Sequence, residues 1–182
     1  MKIHIGLFAA GLLLCAEGVM AQPAERTDLQ VFNDVAKTVN RYDRFTIFDD
    51  IVLHVKGGAV TLEGKVTMPY KKSDIEKRVA KVSGVTSVIN AVDVLPVSSW
   101  DDQLRYRIAR AIYGNTNFWS YGASANPSIH IIVERGRVTL TGVVQSDVER
   151  MLARSLVNQP GVFSVTNNLQ TAAEARERFE HS

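Results

Sequence analysis

From residue 27 to residue 171 the apolar positions switch between two periods, and the whole order of switches occurs twice. Val31, Val35 and Val39 recur every four residues, as do Leu104, Ile108 and Ile112, which predicts a helix at the start of each copy. Thr27 with Gln30, and Ser99 with Asp102, are placed to cap these helices. The period then drops to two. Ile51, Leu53 and Val55 alternate with Val52, His54 and Lys56, the signature of a half-buried strand. Gly57-Gly58 supplies a two-residue turn, because glycine adopts positive φ at little cost. The predicted register sets Val55 opposite Val60 and Leu53 opposite Leu62, with Val133 opposite Val138 and Ile131 opposite Leu140 in the second copy.

The copies align without gaps over Ile51-Val-Leu-His-Val-Lys-Gly-Gly-Ala-Val-Thr-Leu-Glu-Gly64 and Ile129-His-Ile-Ile-Val-Glu-Arg-Gly-Arg-Val-Thr-Leu-Thr-Gly142. Further on, Gly84-Val85-x-x-Val88-x-Asn90 matches Gly161-Val162-x-x-Val165-x-Asn167. Between these blocks lies a second helix, predicted to begin near Pro69 in one copy and after Ser146 in the other, where Glu149 completes a capping box. Ile75, Val79 and Val82 are expected to face the first sheet, and Val148, Leu152 and Leu156 the second. A third strand closes each copy, Val85 to Val94 and Val162 to Gln170. The expected fold is therefore α+β: two tandem αββαβ domains, each a small three-stranded mixed sheet with two helices on one face. The domains are placed at residues 27–95 and 99–171, joined by a linker so short that they must touch or be held at a restricted angle. Residues 172–182 read as a polar tail in a frayed helix.

The N-terminus changes the compartment. Lys2 followed by the apolar run Ile3 to Leu14 reads as a signal peptide over residues 1–21, with small residues placing cleavage after Ala21. Leu-Leu-Leu-Cys15 is a poor lipoprotein signal, since Leu14 is not small. Cleavage after Ala21 leaves a chain without cysteine, which removes disulfides and thiol chemistry. A formal net charge of +2 creates no global field for nucleic acid.

Candidate chemistry is sparse. His54 and His130 sit on outward strand positions, with no metal-ligand spacing around them. Asp49-Asp50 precedes a strand and Asp101-Asp102 opens a helix, both structural placements. Asn90 and Asn167 share the inward parity and are expected to tie down a neighbouring turn. No catalytic residue, metal site or cofactor is expected.

The Gly58-x-Val-Thr-Leu-x-Gly64 and Gly136-x-Val-Thr-Leu-x-Gly142 motifs, with the closing Gly-Val-x-x-Val-x-Asn elements, resemble those of tandem BON-domain proteins. That family is named for bacterial osmotic-stress and nodulation proteins. The resemblance implies an αββαβ fold, a periplasmic or outer-membrane location, association with phospholipid surfaces, and no catalysis or cofactor.

Two surfaces are candidates for such contact. Phe45-x-x-Phe48 aligns with Phe118-x-x-Tyr121, an aromatic pair expected in the core of both copies. The second copy then inserts Gly122-Ala-Ser-Ala-Asn126 and carries Trp119 where the first has Thr46. Trp119 is either an interfacial anchor, formed with Phe118 and Tyr121, or itself a packing group against the other domain. The second helix of the first domain is basic, with Lys71, Lys72, Lys77, Arg78 and Lys81 near Lys65. These residues read either as a solvated face or as a contact for anionic headgroups. The expected partner is an anionic phospholipid surface, bound peripherally. The alternative is a protein-interaction or chaperone-like module for envelope proteins, docking on exposed sheet edges.

Overall fold

The structure, a computed structural model, describes residues 26–124 and 127–180. The signal segment with Cys15 and Ala21 lies outside the described residues, as do Ala125 and Asn126 of the inserted loop.

Domain one runs α1 (Asp28–Asn40), β1 (Asp50–Lys56), β2 (Ala59–Val66), α2 (Pro69–Val79) and β3 (Ser87–Val94). Domain two repeats it with α3 (Ser99–Tyr113), a 3-10 turn at 116–118, the short α4 (Trp119–Gly122), β4 (Ile129–Glu134), β5 (Arg137–Val144), α5 (Asp147–Val157) and β6 (Ser164–Thr171). In each sheet the hairpin is antiparallel, and the central strand pairs in parallel with the strand that returns after the second helix. The predicted mixed sheets and both hairpin registers are observed.

Each domain has its own core. Val31, Val35 and Val39 of α1 meet Val60, Leu62, Ile75, Val79 and Val92 in the first. Leu104, Ile108 and Ile112 of α3 do the same with Ile129, Ile131, Val138, Leu140 and Val157 in the second. Thr27 caps α1 through the reciprocal box with Gln30. Several expectations need correction. Ser98, not Ser99, caps α3, accepting from the Asp101 amide. Ser146 caps α5, but the Glu149 carboxylate accepts from the Gln145 amide instead of closing a box on Ser146. Val148 is 68% exposed, because α5 turns Ala153 and Val157 inward while Leu152 and Leu156 pack at the margin. The polar tail forms α6 (Ala172–Glu180), with Glu174 paired to Arg150.

One clamp recurs in both copies. Asp28 accepts from the Gly57 and Gly58 amides at 2.8 and 2.9 Å, and Asp101 accepts from Arg135 and Gly136 at 2.7 and 2.9 Å. A carboxylate in the first turn of each first helix thus holds that domain's hairpin turn. The asparagines tie strand to helix rather than to a turn. Asn90 donates to the Lys72 carbonyl and Asn167 to the Arg150 carbonyl, while each side-chain oxygen accepts from the amide two residues on.

Two outcomes follow from this packing. Gly64 and Gly142 hold φ of 117° and 111°, and a Cβ there would run into the carbonyl oxygens of Asp50 and Ser128. Gly64→Ala and Gly142→Ala are each expected to cost more than about 1 kcal/mol in urea unfolding, whereas Gly57→Ala, whose methyl meets nothing within 4 Å, costs less. The two turn amides, Gly58 first, hold the Asp28 carboxyl below its ordinary value. Its contribution is present above the unfolded carboxylate pKa and lost as pH falls through the lower folded value. Urea midpoints measured from neutral pH into the acid range should fall less steeply for Asp28→Asn than for the parent.

Candidate functional site

The joint between the domains is built around Asp49, which has no exposed surface. Its carboxylate accepts from the amide and hydroxyl of Thr46, from the amide and hydroxyl of Thr67, and from Lys71 Nζ at 2.6 Å. Lys71 therefore belongs to a buried ion pair, with 5% of its side chain exposed, and is not a headgroup contact. With its side chain fixed in domain one, Asp49 turns its own carbonyl to Nδ1 of His130 at 2.6 Å. Beside it the Ile47 carbonyl accepts from the Ile131 amide at 2.7 Å. His130 is thus a half-buried joint residue packed on Phe45, not an exposed strand histidine. His54 remains exposed.

Ile47 and Phe48 carry the joint into the second core, where Phe48 meets Tyr106 edge-on at 5.3 Å. Phe48 therefore packs on the core of domain two, a correction to its expected place in its own domain. Lys65 completes the contact through an ion pair to Glu134, which holds the Glu134 carboxyl below its usual range. Between the domains lies a cleft of about 400 Å³, lined by Asp50 and Lys65 on one side and by Glu134, Arg137, Thr139 and Thr141 on the other. Among the described residues no cluster of side chains is arranged to hold a metal ion.

Copy two fixes the corresponding loop differently. Tyr121 donates to Glu149 at 2.6 Å, and its hydroxyl accepts from the Gln145 amide at 2.8 Å. Burial first, and then the Glu149 carboxylate, push the Tyr121 phenol up to about 12. Lys71 and Glu149 occupy equivalent helix positions with opposite charge, each chosen by the loop residue it must hold.

The remaining predicted contact residues separate. Phe118 is fully buried and Tyr121 only 9% exposed, so neither presents an anchor. Trp119 between them is 70% exposed, which excludes its packing against the other domain. Lys77 and Arg78 are exposed on α2 and Lys81 in the turn just after it; Arg78 lies over the Tyr42 ring at 4.7 Å, and Lys72 is half-buried. No contact or cavity among the described residues joins Trp119 to this helix. Sequence reasoning missed Trp100, Tyr106 and Phe163. With Trp119 they are the aromatics more than half exposed among the described residues, and all four belong to domain two. The signal was available in the alignment, where Trp100 and Phe163 stand in place of Thr27 and Thr86.

By fold the chain is a tandem of small αββαβ sandwiches. The family model of the BON domain matches it twice, over residues 30–96 and 101–173, and the chain belongs to that family. No curated protein matches it significantly. Among solved structures, CdsD, a structural protein of the type III secretion system of Chlamydia trachomatis, is 14% identical with a TM-score of 0.30, covering 83% of this chain and 97% of that one. A structure of the CdsD C-terminal domain is likewise 14% identical, with a TM-score of 0.28 and coverages of 79% and 98%. Neither likeness is close enough to argue from.

The buried pair makes a direct prediction. Lys71→Met leaves the Asp49 carboxylate without its cation and should cost about 3–5 kcal/mol in urea unfolding. Asp49→Asn combined with Lys71→Met should cost less than the sum of the two single changes, the mark of direct coupling.

Proposed function

We propose that this chain is a non-enzymatic envelope module that associates peripherally with phospholipid, using domain two as its apolar contact. The BON family is an envelope-associated one, which supports the compartment. The observation that carries the reading is the confinement of strongly exposed aromatics to domain two, with Trp119 70% exposed on a loop anchored by buried Phe118 and Tyr121. A rigidly held indole, apolar in body and polar at one edge, suits the water–lipid boundary. Among the described residues no helix is long and apolar enough to cross a membrane. Lys77, Arg78 and Lys81 supply a secondary electrostatic contact to anionic headgroups, with Lys72 at its margin. The role that follows is support of envelope integrity, including under osmotic stress.

Flotation of residues 22–182 with zwitterionic and anionic liposomes, at low and moderate salt, tests the proposal. Trp119→Ala should lower the bound fraction on both liposome types while leaving the thermal unfolding profile unchanged. Changing Lys77, Arg78 and Lys81 together to Gln should weaken anionic binding by about 3 kcal/mol at low salt, near a hundredfold, and remove most of its salt dependence. Absence of flotation under every condition would overturn the lipid reading. The second reading, a protein-interaction module, is favoured by a single feature, the open edge of β1.

A further inference from the structure

The outer edges of the two sheets are treated differently. In each hairpin the even-numbered residues of the first strand bond to the second, so the amides and carbonyls of Ile51, Leu53 and Val55, and of Ile129, Ile131 and Val133, point away from the sheet. On β4 three of those six groups are occupied. Tyr113 donates to the Ile129 carbonyl, Arg105 to the Val133 carbonyl at 2.6 Å, and the Ile131 amide donates to Ile47. All three side chains are fully buried there. On β1 no hydrogen bond among the described residues reaches the outward groups, and Ile51, Leu53 and Val55 are only half-buried. The cause is visible in the sequence, since Arg105 and Tyr113 are replaced in copy one by Phe32 and Asn40.

We propose that the open β1 edge pairs with β1 of a second copy of this chain, antiparallel about Leu53, to form a two-fold dimer with one continuous six-stranded sheet. The strand is self-complementary in that register. Leu53 faces Leu53 of the second copy and Ile51 faces Val55, so every outward amide and carbonyl of these three residues gains a partner. The neighbouring positions agree: Asp50 falls opposite Lys56, and Val52, 44% exposed, falls opposite His54. These are non-hydrogen-bonded pairs in the new ladder, where side chains approach most closely. Neither Asp50 nor Lys56 has an ion-pair partner among the described residues. One strand thus supplies the backbone groups, the apolar row and the charges that a second copy of itself would need.

A charge exchange tests the register. Sedimentation equilibrium of residues 22–182 from micromolar to millimolar concentration should show a monomer–dimer equilibrium. Asp50→Lys sets lysine against lysine at both ends, and Lys56→Asp sets aspartate against aspartate. Each should weaken the dimer at least about tenfold, by replacing two cross-strand attractions with repulsions. An equimolar mixture of the two variants should dimerise, as should the protein carrying both changes. Circular dichroism melting checks that each variant is folded. A protein that stays monomeric throughout the range would overturn the proposal, as would a dimer indifferent to the single changes or one that the mixture fails to restore. Copurification of another protein's extended segment on the monomer's β1 edge would likewise replace it.

Discussion

The arrangement of the two domains depends on one buried ion pair. Removing Asp49 and Lys71 from water is costly and is offset only because every available partner converges on the carboxylate: two threonine amides, their hydroxyls and the ammonium. That convergence rigidifies the loop between α1 and β1. A rigid loop can present carbonyls at fixed positions, and those of Ile47 and Asp49 are the ones that meet Ile131 and His130 of domain two. A side-chain network inside one domain therefore sets the position of the other. Phe48, standing on the same loop, then has a second core within reach.

The duplicated unit has diverged where its copies cannot share an environment. Domain two receives domain one on its β4 edge, where Arg105, Tyr113 and Ile47 each take one of the outward backbone groups. On the β1 edge of domain one no such partner is found among the described residues. Domain two in turn carries the exposed aromatics at positions where copy one has small or polar residues. The two copies keep one scaffold and divide the available surfaces between them: a joint, an open strand and an aromatic face.

Much of the fold was legible because its signals are local. Alternation, a two-residue turn and a capping pair act over a few residues, and the repeat checks each element against an independent copy. Register, helix positions and the tandem α+β class were all read in this way. The errors have a common origin. Lys71 resembled its exposed neighbours on a basic helix, and nothing in its local context announces a carboxylate 22 residues upstream. Val148 fits the helical period yet faces water, because the sheet meets α5 at Ala153 and Val157. Phe118 and Tyr121 were correctly expected in the core, and burial is what withdraws them from any contact surface.

By itself the sequence determined the repeated unit, its strand register and its two cores, since these follow from the periodicity of apolar residues and the chemistry of short turns. Only the tertiary structure decided which charged side chains are buried, which aromatics remain exposed, and how one domain is held against the other. Those outcomes depend on which distant groups are brought within hydrogen-bonding distance, and that is a property of the folded chain, not of any segment of it.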